Sequence, residues 1–253
     1  MSEREGLPPV GGTMLAAAAC LAFVALVVVS YWFWLPDAEA LRRGNPMTTQ
    51  YVQLFVRRNL AKGRRPAVLM RWIPLESISP YLRSAVLIAE DDGFYRHRGV
   101  DWAALKTAAR YNLQRRKLAR GGSTITQQTA RNLFLSPSRR FGRKLKEVLI
   151  ARYLERTLDK DRILEIYLNT AEWGEGVFGA EAASLVYFGK RASELTPEEA
   201  VALVVALPSP YRLNPAKPPV EKTLKKKELF LDRMRRSGVL LEHPTGYLPT
   251  AEE

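Results

Sequence analysis

Three stretches of this chain hold side chains able to do chemistry. The first begins at Glu90, which ends the apolar run Ala85-Val86-Leu87-Ile88-Ala89 and leads into Asp91-Asp92-Gly93-Phe94-Tyr95-Arg96-His97-Arg98-Gly99-Val100-Asp101. A carboxylate leaving an apolar helix is partly desolvated, which strengthens it as a proton acceptor and suits it to be a general base. The plain alternative is a surface acidic cluster that closes a helix. His97 taken alone reads as a structural histidine.

The second stretch is Gly121-Gly122-Ser123-Thr124-Ile125-Thr126-Gln127-Gln128-Thr129-Ala130-Arg131-Asn132. Ser123 is the expected N-cap, and the turns after it carry Thr124, Thr126, Gln127, Gln128 and Arg131 where a surface helix usually shows Lys and Glu. Hydroxyls and carboxamides at this density suit a sugar or a phosphate; otherwise the segment is a polar capped helix with nothing bound. In the third stretch Arg139, Arg143 and Glu147 recur every four residues, as do Arg140 and Lys144. Such rows place cations on adjacent helix faces and can cradle a diphosphate through bidentate hydrogen bonds. A solvated charged helix is the competing account. Glu147 is either an internal partner for Arg143 or a second carboxylate of the site.

These stretches need helices to hold them. Ser79-Pro80 caps a helix over Tyr81 to Glu90, and Asp101 caps one whose Trp102, Leu105, Ala109 and Leu113 share a side. A long helix fits Arg139 to Leu158, and another begins at Asp161 with Ile163, Ile166 and Tyr167. Thr196-Pro197-Glu198-Glu199 is a capping box opening the apolar Ala200 to Leu207, which Pro208, Pro210 and Pro215 end. A last, very basic helix runs near Val220 to Arg236 and stops at Gly238. Val68 to Ile73 reads as a short strand. Upstream, Tyr51 to Leu60 is amphipathic, with Val52, Phe55, Val56 and Leu60 on one face expected to pack on the core rather than on a bilayer.

Met14 to Leu35 is an uncharged apolar run of 22 residues, about 33 Å as a helix and long enough to span a bilayer. Tyr31, Trp32 and Trp34 stand at one end like an interfacial belt. A cleaved signal peptide is the alternative, since Ala38-Glu39-Ala40 resembles a cleavage site. The chain has 253 residues and a formal net charge of +13; residues 1–35 contribute Arg4, Glu3 and Glu5, so the remainder is at +14. A tethered basic domain is drawn to lipid headgroups and lipid-linked phosphates, and polynucleotide would not explain the anchor. Arg42, Arg43, Arg57 and Arg58 after the span, against Arg4 before it, would keep the domain cytoplasmic by the positive-inside rule, although long domains translocate largely regardless of charge. The one cysteine, Cys20, lies within the apolar run, and with only His97 and His243 a zinc site of protein ligands is not expected.

Taken together and in order, Glu90-Asp91 with Phe94, His97, Gly99 and Asp101, then Gly122-Ser123-Thr124-Ile125-Thr126-Gln127-Gln128, then Arg143-Lys144 with Glu147, then Ile163-Leu164-Glu165-Ile166-Tyr167-Leu168-Asn169, then Tyr187-Phe188-Gly189-Lys190 resemble family 51 glycosyltransferases. These are the peptidoglycan glycosyltransferase domains of class A penicillin-binding proteins and of the monofunctional biosynthetic transglycosylases. The similarity runs from about Arg71 to Pro215.

The resemblance implies a mainly α fold, with a lysozyme-like head and a small membrane-proximal jaw at roughly Arg98 to Ala119, preceded by one transmembrane helix. The expected division is a tail at 1–13, the span at 14–35, a basic connector at 36–66, the glycosyltransferase domain at 67–220 and a basic helix and tail at 221–253. It implies inverting polymerisation of lipid II into linear glycan strands outside the cytoplasmic (inner) membrane. Glu90 would be the base that deprotonates the acceptor hydroxyl, and Glu147 a second carboxylate. Arg131, Arg139, Arg143 and Lys144 would hold the donor pyrophosphate, and Ser123, Thr124, Gln127 and Gln128 would line the cleft. Arg131 stands where the family usually has lysine, exchanging a compact ammonium for a planar fork.

The residue types agree with transfer from a diphosphate, which needs a base for the incoming hydroxyl and cations for the leaving group. A glycoside hydrolase instead protonates a poor leaving group and usually employs a second carboxylate, leaving no role for a row of arginines. A lysozyme-like hydrolase or lytic enzyme with Glu90 as acid is nevertheless the alternative, followed by a non-catalytic binder of anionic polymer using Lys225-Lys226-Lys227. With no Ser-x-x-Lys of a transpeptidase, the enzyme is expected to be monofunctional. The expected partners are lipid II, the nascent strand, the membrane, transpeptidases and cell-wall assembly proteins, but not nucleic acid. No cofactor is implied beyond a divalent cation, Mg or Mn, at the pyrophosphate, and no protein-held metal.

Overall fold

The computed structural model describes residues 10–32, 35–115, 121–137 and 141–239. It divides into an N-terminal unit through Asp37 and a main unit from Ala38 onward. The first contains helix α1 (Val10–Trp32), which overlaps the apolar run from Met14 to Trp32. Among the described residues no helix is long and apolar enough to cross a membrane. The side chains of residue 24 and residues 27–32 are outside the described part, as is Trp34, so the Tyr31, Trp32 and Trp34 belt falls there too.

The main unit is helical. Its helices are α2 (Glu39–Arg43), α3 (Gln50–Leu60), α4 (Pro80–Glu90), α5 (Trp102–Arg115), α6 (Ile125–Phe134), α7 (Phe141–Thr157), α8 (Lys160–Thr170), α9 (Ala180–Phe188), α10 (Pro197–Ala206), α11 (Pro210–Leu213) and α12 (Glu221–Arg236). A small sheet has the order β1 (Leu69–Met70), β3 (Val177–Phe178), β2 (Glu172–Gly174), with β3 parallel to β1 and antiparallel to β2. The strand expected over Val68 to Ile73 thus shrinks to two residues. Beyond Met70, Asn169 takes over the backbone of Ile73: its carboxamide oxygen accepts the Ile73 N–H and its amide donates to the Ile73 carbonyl, both at 2.9 Å.

Helix α6 packs against α7 and α8, while α4 packs against α10 and α12. The apolar α10, buried from Ala200 through Ala206, is where the capping box predicts a core helix. Helix α3 turns Val52 and Phe55 onto Phe178, with the Phe55 and Phe178 rings edge to face at 6.0 Å. The amphipathic stretch is therefore core-facing, except that Leu60 at its end is left exposed. Helix α5 does the opposite: Trp102, Leu105 and Leu113 are exposed and only Ala108 is buried.

Two expected boundaries move, and a third falls outside the described residues. Thr124, not Ser123, caps α6, because the Thr-x-x-Gln spacing closes a capping box in which Gln127 N donates to Thr124 Oγ1 at 3.2 Å and Thr124 N donates to Gln127 Oε1 at 3.0 Å. Helix α8 starts at Lys160, one residue before the expected Asp161, with Asp159 as its cap accepting from Arg162 N at 2.7 Å. Helix α7 runs from Phe141; Arg139 and Arg140 lie outside the described residues.

Candidate active site

The site forms where the end of α4 meets the start of α6. Glu90 is the last residue of α4, and the next residue, Asp91, is its C-cap. Asp91 is nearly buried, and its carboxylate accepts the backbone N–H of Ile125 at 2.9 Å. An anion at the first turn of α6 satisfies a free N–H and meets the positive end of the helix dipole. His97 Nε2 lies 2.9 and 3.0 Å from the two Asp91 oxygens, and since a carboxylate only accepts, that nitrogen carries a proton. The histidine expected to be structural is so, with its ring edge-on to buried Phe94.

This junction aims Glu90 at Gln128, one turn into α6. Gln128 Nε2 donates to Glu90 Oε2 at 2.7 Å, while its carbonyl oxygen stands 3.4 Å from the Tyr167 hydroxyl. Among the described residues Glu90 Oε1 has no hydrogen-bond partner. Tyr167 is buried on α8, and burial, reinforced by the negative charges of Glu90 and Asp91, pushes its hydroxyl well above the ordinary range. It therefore stays a neutral donor. Arg131 acts on Tyr167 in the opposite sense, which puts its charge in the same neighbourhood. The Arg131 Nε is buried without a hydrogen-bond partner among the described residues.

A cleft of about 360 Å³ opens over this junction, lined by Glu90, Asp91, Asp92 and Arg96 on one side and by Gly121 to Thr124 on another. The Thr124 hydroxyl donates to the Gly99 carbonyl at 2.7 Å, tying the cleft's two loops together. Gly99 has φ +86°, and a Cβ there would press on the Ala151 backbone at 3.2 Å, so α7 supports the turn only because the residue is glycine.

The cationic helix meets the cleft at Ser123, whose hydroxyl accepts from Lys144 Nζ at 2.9 Å. Lys144 also pairs with Glu147, as does Arg143 at 2.5 Å. Glu147 is fully buried between the two cations. Of the two sequence readings of Glu147, the geometry shows the internal partner: it pairs with Arg143 and with Lys144. Such a buried charge is held by pairing and hydrogen bonds.

The predicted residues thus fall into two contact groups, Glu90 with Gln128 and Ser123 with Lys144, Glu147 and Arg143, while the Thr124 hydroxyl is joined to Gly99. The Gln127 carboxamide is committed to the α6 capping box, and Arg139 is outside the described residues. Two features carry no signal in the sequence. Asp91 looks there like one acid in a cluster, and its role depends on a backbone N–H 34 positions away. The Thr126 hydroxyl donates to Glu155 at 2.5 Å, which also pairs with Lys160 at 2.8 Å, bracing α6 against α7 and α8. The spacing of these residues gives no hint of that contact.

Residues 58–235 match the family model described as Transglycosylase. The chain belongs to the transglycosylase family. It is 44% identical over 200 residues to the biosynthetic peptidoglycan transglycosylase of Azoarcus sp. (strain BH72), covering 78% of this chain and 85% of that one. Identity to the protein of that name from Nitrosomonas eutropha is 42% over 239 residues, 92% of this chain and 96% of the relative. With that of Nitrosospira multiformis it is 41% over 222 residues, 87% and 95%. The transglycosylase match includes the end of α3 and nearly all of α12.

Proposed function

We propose that this protein is a peptidoglycan glycosyltransferase that polymerises lipid II into linear glycan strands. The observation that carries it is the pairing of one oriented carboxylate, Glu90 held by Gln128, with a cationic helix whose Lys144 reaches the cleft wall at Ser123. Glu90 takes the proton of the acceptor's sugar hydroxyl as the oxygen attacks the anomeric carbon of the donor. The bond from that carbon to the diphosphate breaks, and the departing charge is met by Arg143 and Lys144 with Arg131 and Arg139. Attack from the face opposite the leaving group inverts an α-linked donor to a β-linked product. Glu147, neutralised by two cations, serves the site by holding them in place.

The described residues contain no group of three or more His, Cys, Asp or Glu side chains able to hold a metal ion. A Mg or Mn ion taking part would be bound by the diphosphate oxygens, and no step is assigned to it.

The core around α6 and α10 is the lysozyme-like head, α5 with its exposed Trp102, Leu105 and Leu113 is the jaw, and the apolar run from Met14 to Leu35 is a single membrane anchor with the catalytic unit outside the cytoplasmic membrane. Transpeptidases and cell-wall assembly proteins are the expected partners. The test is polymerisation of lipid II by the full chain, with Glu90→Gln as control. Long strands from the wild type and none from the variant, at retained lipid II binding, support the function. Cleavage of finished glycan without strand growth would replace it with a hydrolase, and near-normal turnover by Glu90→Gln would remove Glu90 as the base.

A further inference from the structure

The cleft above Glu90 is acidic: Glu90, Asp91, Asp92 and Asp101 all line it. Two cations stand against them among the described lining residues, Arg96 and Arg233. Arg233 belongs to α12, far from the site in sequence. It arrives there because α12 packs along α4 and α10, with Met234 fully buried beside it. That anchoring fixes the helix and leaves the guanidinium at the cleft rim. Arg233 Nη2 is 3.4 Å from Asp92 Oδ2, with both side chains well exposed, at 40% and 67%. Arg96 Nη2 donates to the Asp92 backbone carbonyl at 3.1 Å, placing a second guanidinium on the same residue.

A long, exposed ion pair contributes little to stability, so the pairing with Asp92 is not what folding requires of Arg233. A phosphate is a better partner than Asp92, because it accepts two parallel hydrogen bonds from one guanidinium. The cations of α7 reach the cleft through Ser123, whereas Arg96 and Arg233 flank Asp92. We infer that Arg233, assisted by Arg96, binds the diphosphate of the acceptor substrate, making α12 part of the acceptor subsite. The inference rests on the proposed polymerisation, in which both reacting molecules are lipid-linked diphosphate sugars and the acceptor carries its own diphosphate while its hydroxyl meets Glu90. Two separate sets of cations then serve two diphosphates: α7 the one that leaves, α12 the one that stays.

The experiment compares two acceptors with one labelled lipid-diphosphate donor: a lipid-linked disaccharide diphosphate, and the same disaccharide without diphosphate. For the wild type the diphosphate acceptor has much the lower KM. Arg233→Ala raises that KM about tenfold, the loss expected for one charge-assisted contact, and narrows the preference between acceptors by the same factor. Arg233→Lys recovers part of it, and the melting temperature of all three proteins is the same. Equal losses with both acceptors, an unchanged KM, or a lowered melting temperature with unchanged acceptor preference would overturn the assignment. Absence of any transfer by the wild type would instead refute the proposed polymerisation.

Discussion

The Asp91 carboxylate accepts the Ile125 backbone N–H across 2.9 Å, joining the last turn of α4 to the first turn of α6. Glu90 ends one of these helices and Gln128 stands in the first turns of the other, so this bond sets the distance between base and orienting amide. Asp91→Ala leaves both the Ile125 N–H and His97 Nε2 unpaired, at a cost of about 1–3 kcal/mol. Asp91→Asn keeps one accepting oxygen and loses less. Denaturant unfolding of both variants beside the wild type checks the order, and equal stability of all three would refute the coupling.

Gln128→Ala removes the donor that aims Glu90 while leaving the fold intact. Misplacement of a reacting group costs on the order of a hundredfold in rate. Tyr167→Phe deletes only the 3.4 Å hydroxyl contact to Gln128 and should lower the rate by much less. Turnover measured for the pair decides: equal losses would mean that the hydroxyl of Tyr167 acts on the reaction directly.

Glu147→Ala removes the buried carboxylate that Arg143 and Lys144 share and leaves a hole in its place. Breaking a buried pair by removing one partner costs about 3–5 kcal/mol. The substitution should therefore lower the melting temperature steeply, and Glu147→Gln, which keeps the volume but not the charge, should fall between. A stable Glu147→Ala protein with lost activity would mean that Glu147 takes part in the chemistry itself.

Glu172 is a carboxylate whose burial makes stability depend on pH. Burial raises it above its ordinary value of 4.5, and the Tyr211 hydroxyl, donating at 2.5 Å, together with Arg58, offsets part of the shift. A raised folded-state value means that the fold favours the neutral acid. The stabilisation from Glu172 is complete below about pH 4.5 and declines as pH rises through the higher folded value. Glu172→Gln should remove that decline, gaining stability relative to wild type at pH 7 but not at pH 4. Thermal melting at the two pH values measures it, and an equal difference at both would show that Glu172 does not titrate in this way.

Gly179, with φ +86°, begins α9, and a Cβ there would lie 2.7 Å from the Asn169 carbonyl oxygen. Gly179→Ala should cost about 1–3 kcal/mol from the backbone conformation, with more from the contact. Because Asn169 also holds the backbone of Ile73, loss of stability should precede any loss of activity at permissive temperature. An alanine variant melting with the wild type would contradict the strain.

The helices that carry the candidate residues are legible in the sequence because local rules govern them. Glu90 follows five apolar residues, the Thr196 to Glu199 spacing builds a capping box, and Arg143 and Glu147 are four apart on one helix. Helix caps and periodicity depend only on neighbours along the chain, so the residue order alone places α4, α7 and α10. The cap expected at Ser123 misses by one position, because adjacent hydroxyl side chains compete there and the winner is the one that closes the box with Gln127.

Tertiary structure decided what those residues do to one another. The Asp91 to Ile125 bond, the Gln128 amide on Glu90 and the Lys144 contact with Ser123 each join different elements, and no spacing rule reaches across them. Likewise, the apolar stripe of α3 is core while that of α5 is exposed, though both look amphipathic in the chain. What separates them is whether another element comes to cover the stripe, as Phe178 does for α3. Arg233 is the extreme case: in sequence it is one charge of a basic tail, and only the packing of α12 on α4 brings it to the cleft of Glu90. Sequence set the chemistry available, through residue type and local geometry; packing set which charges meet, because the contacts that matter are made by residues distant along the chain.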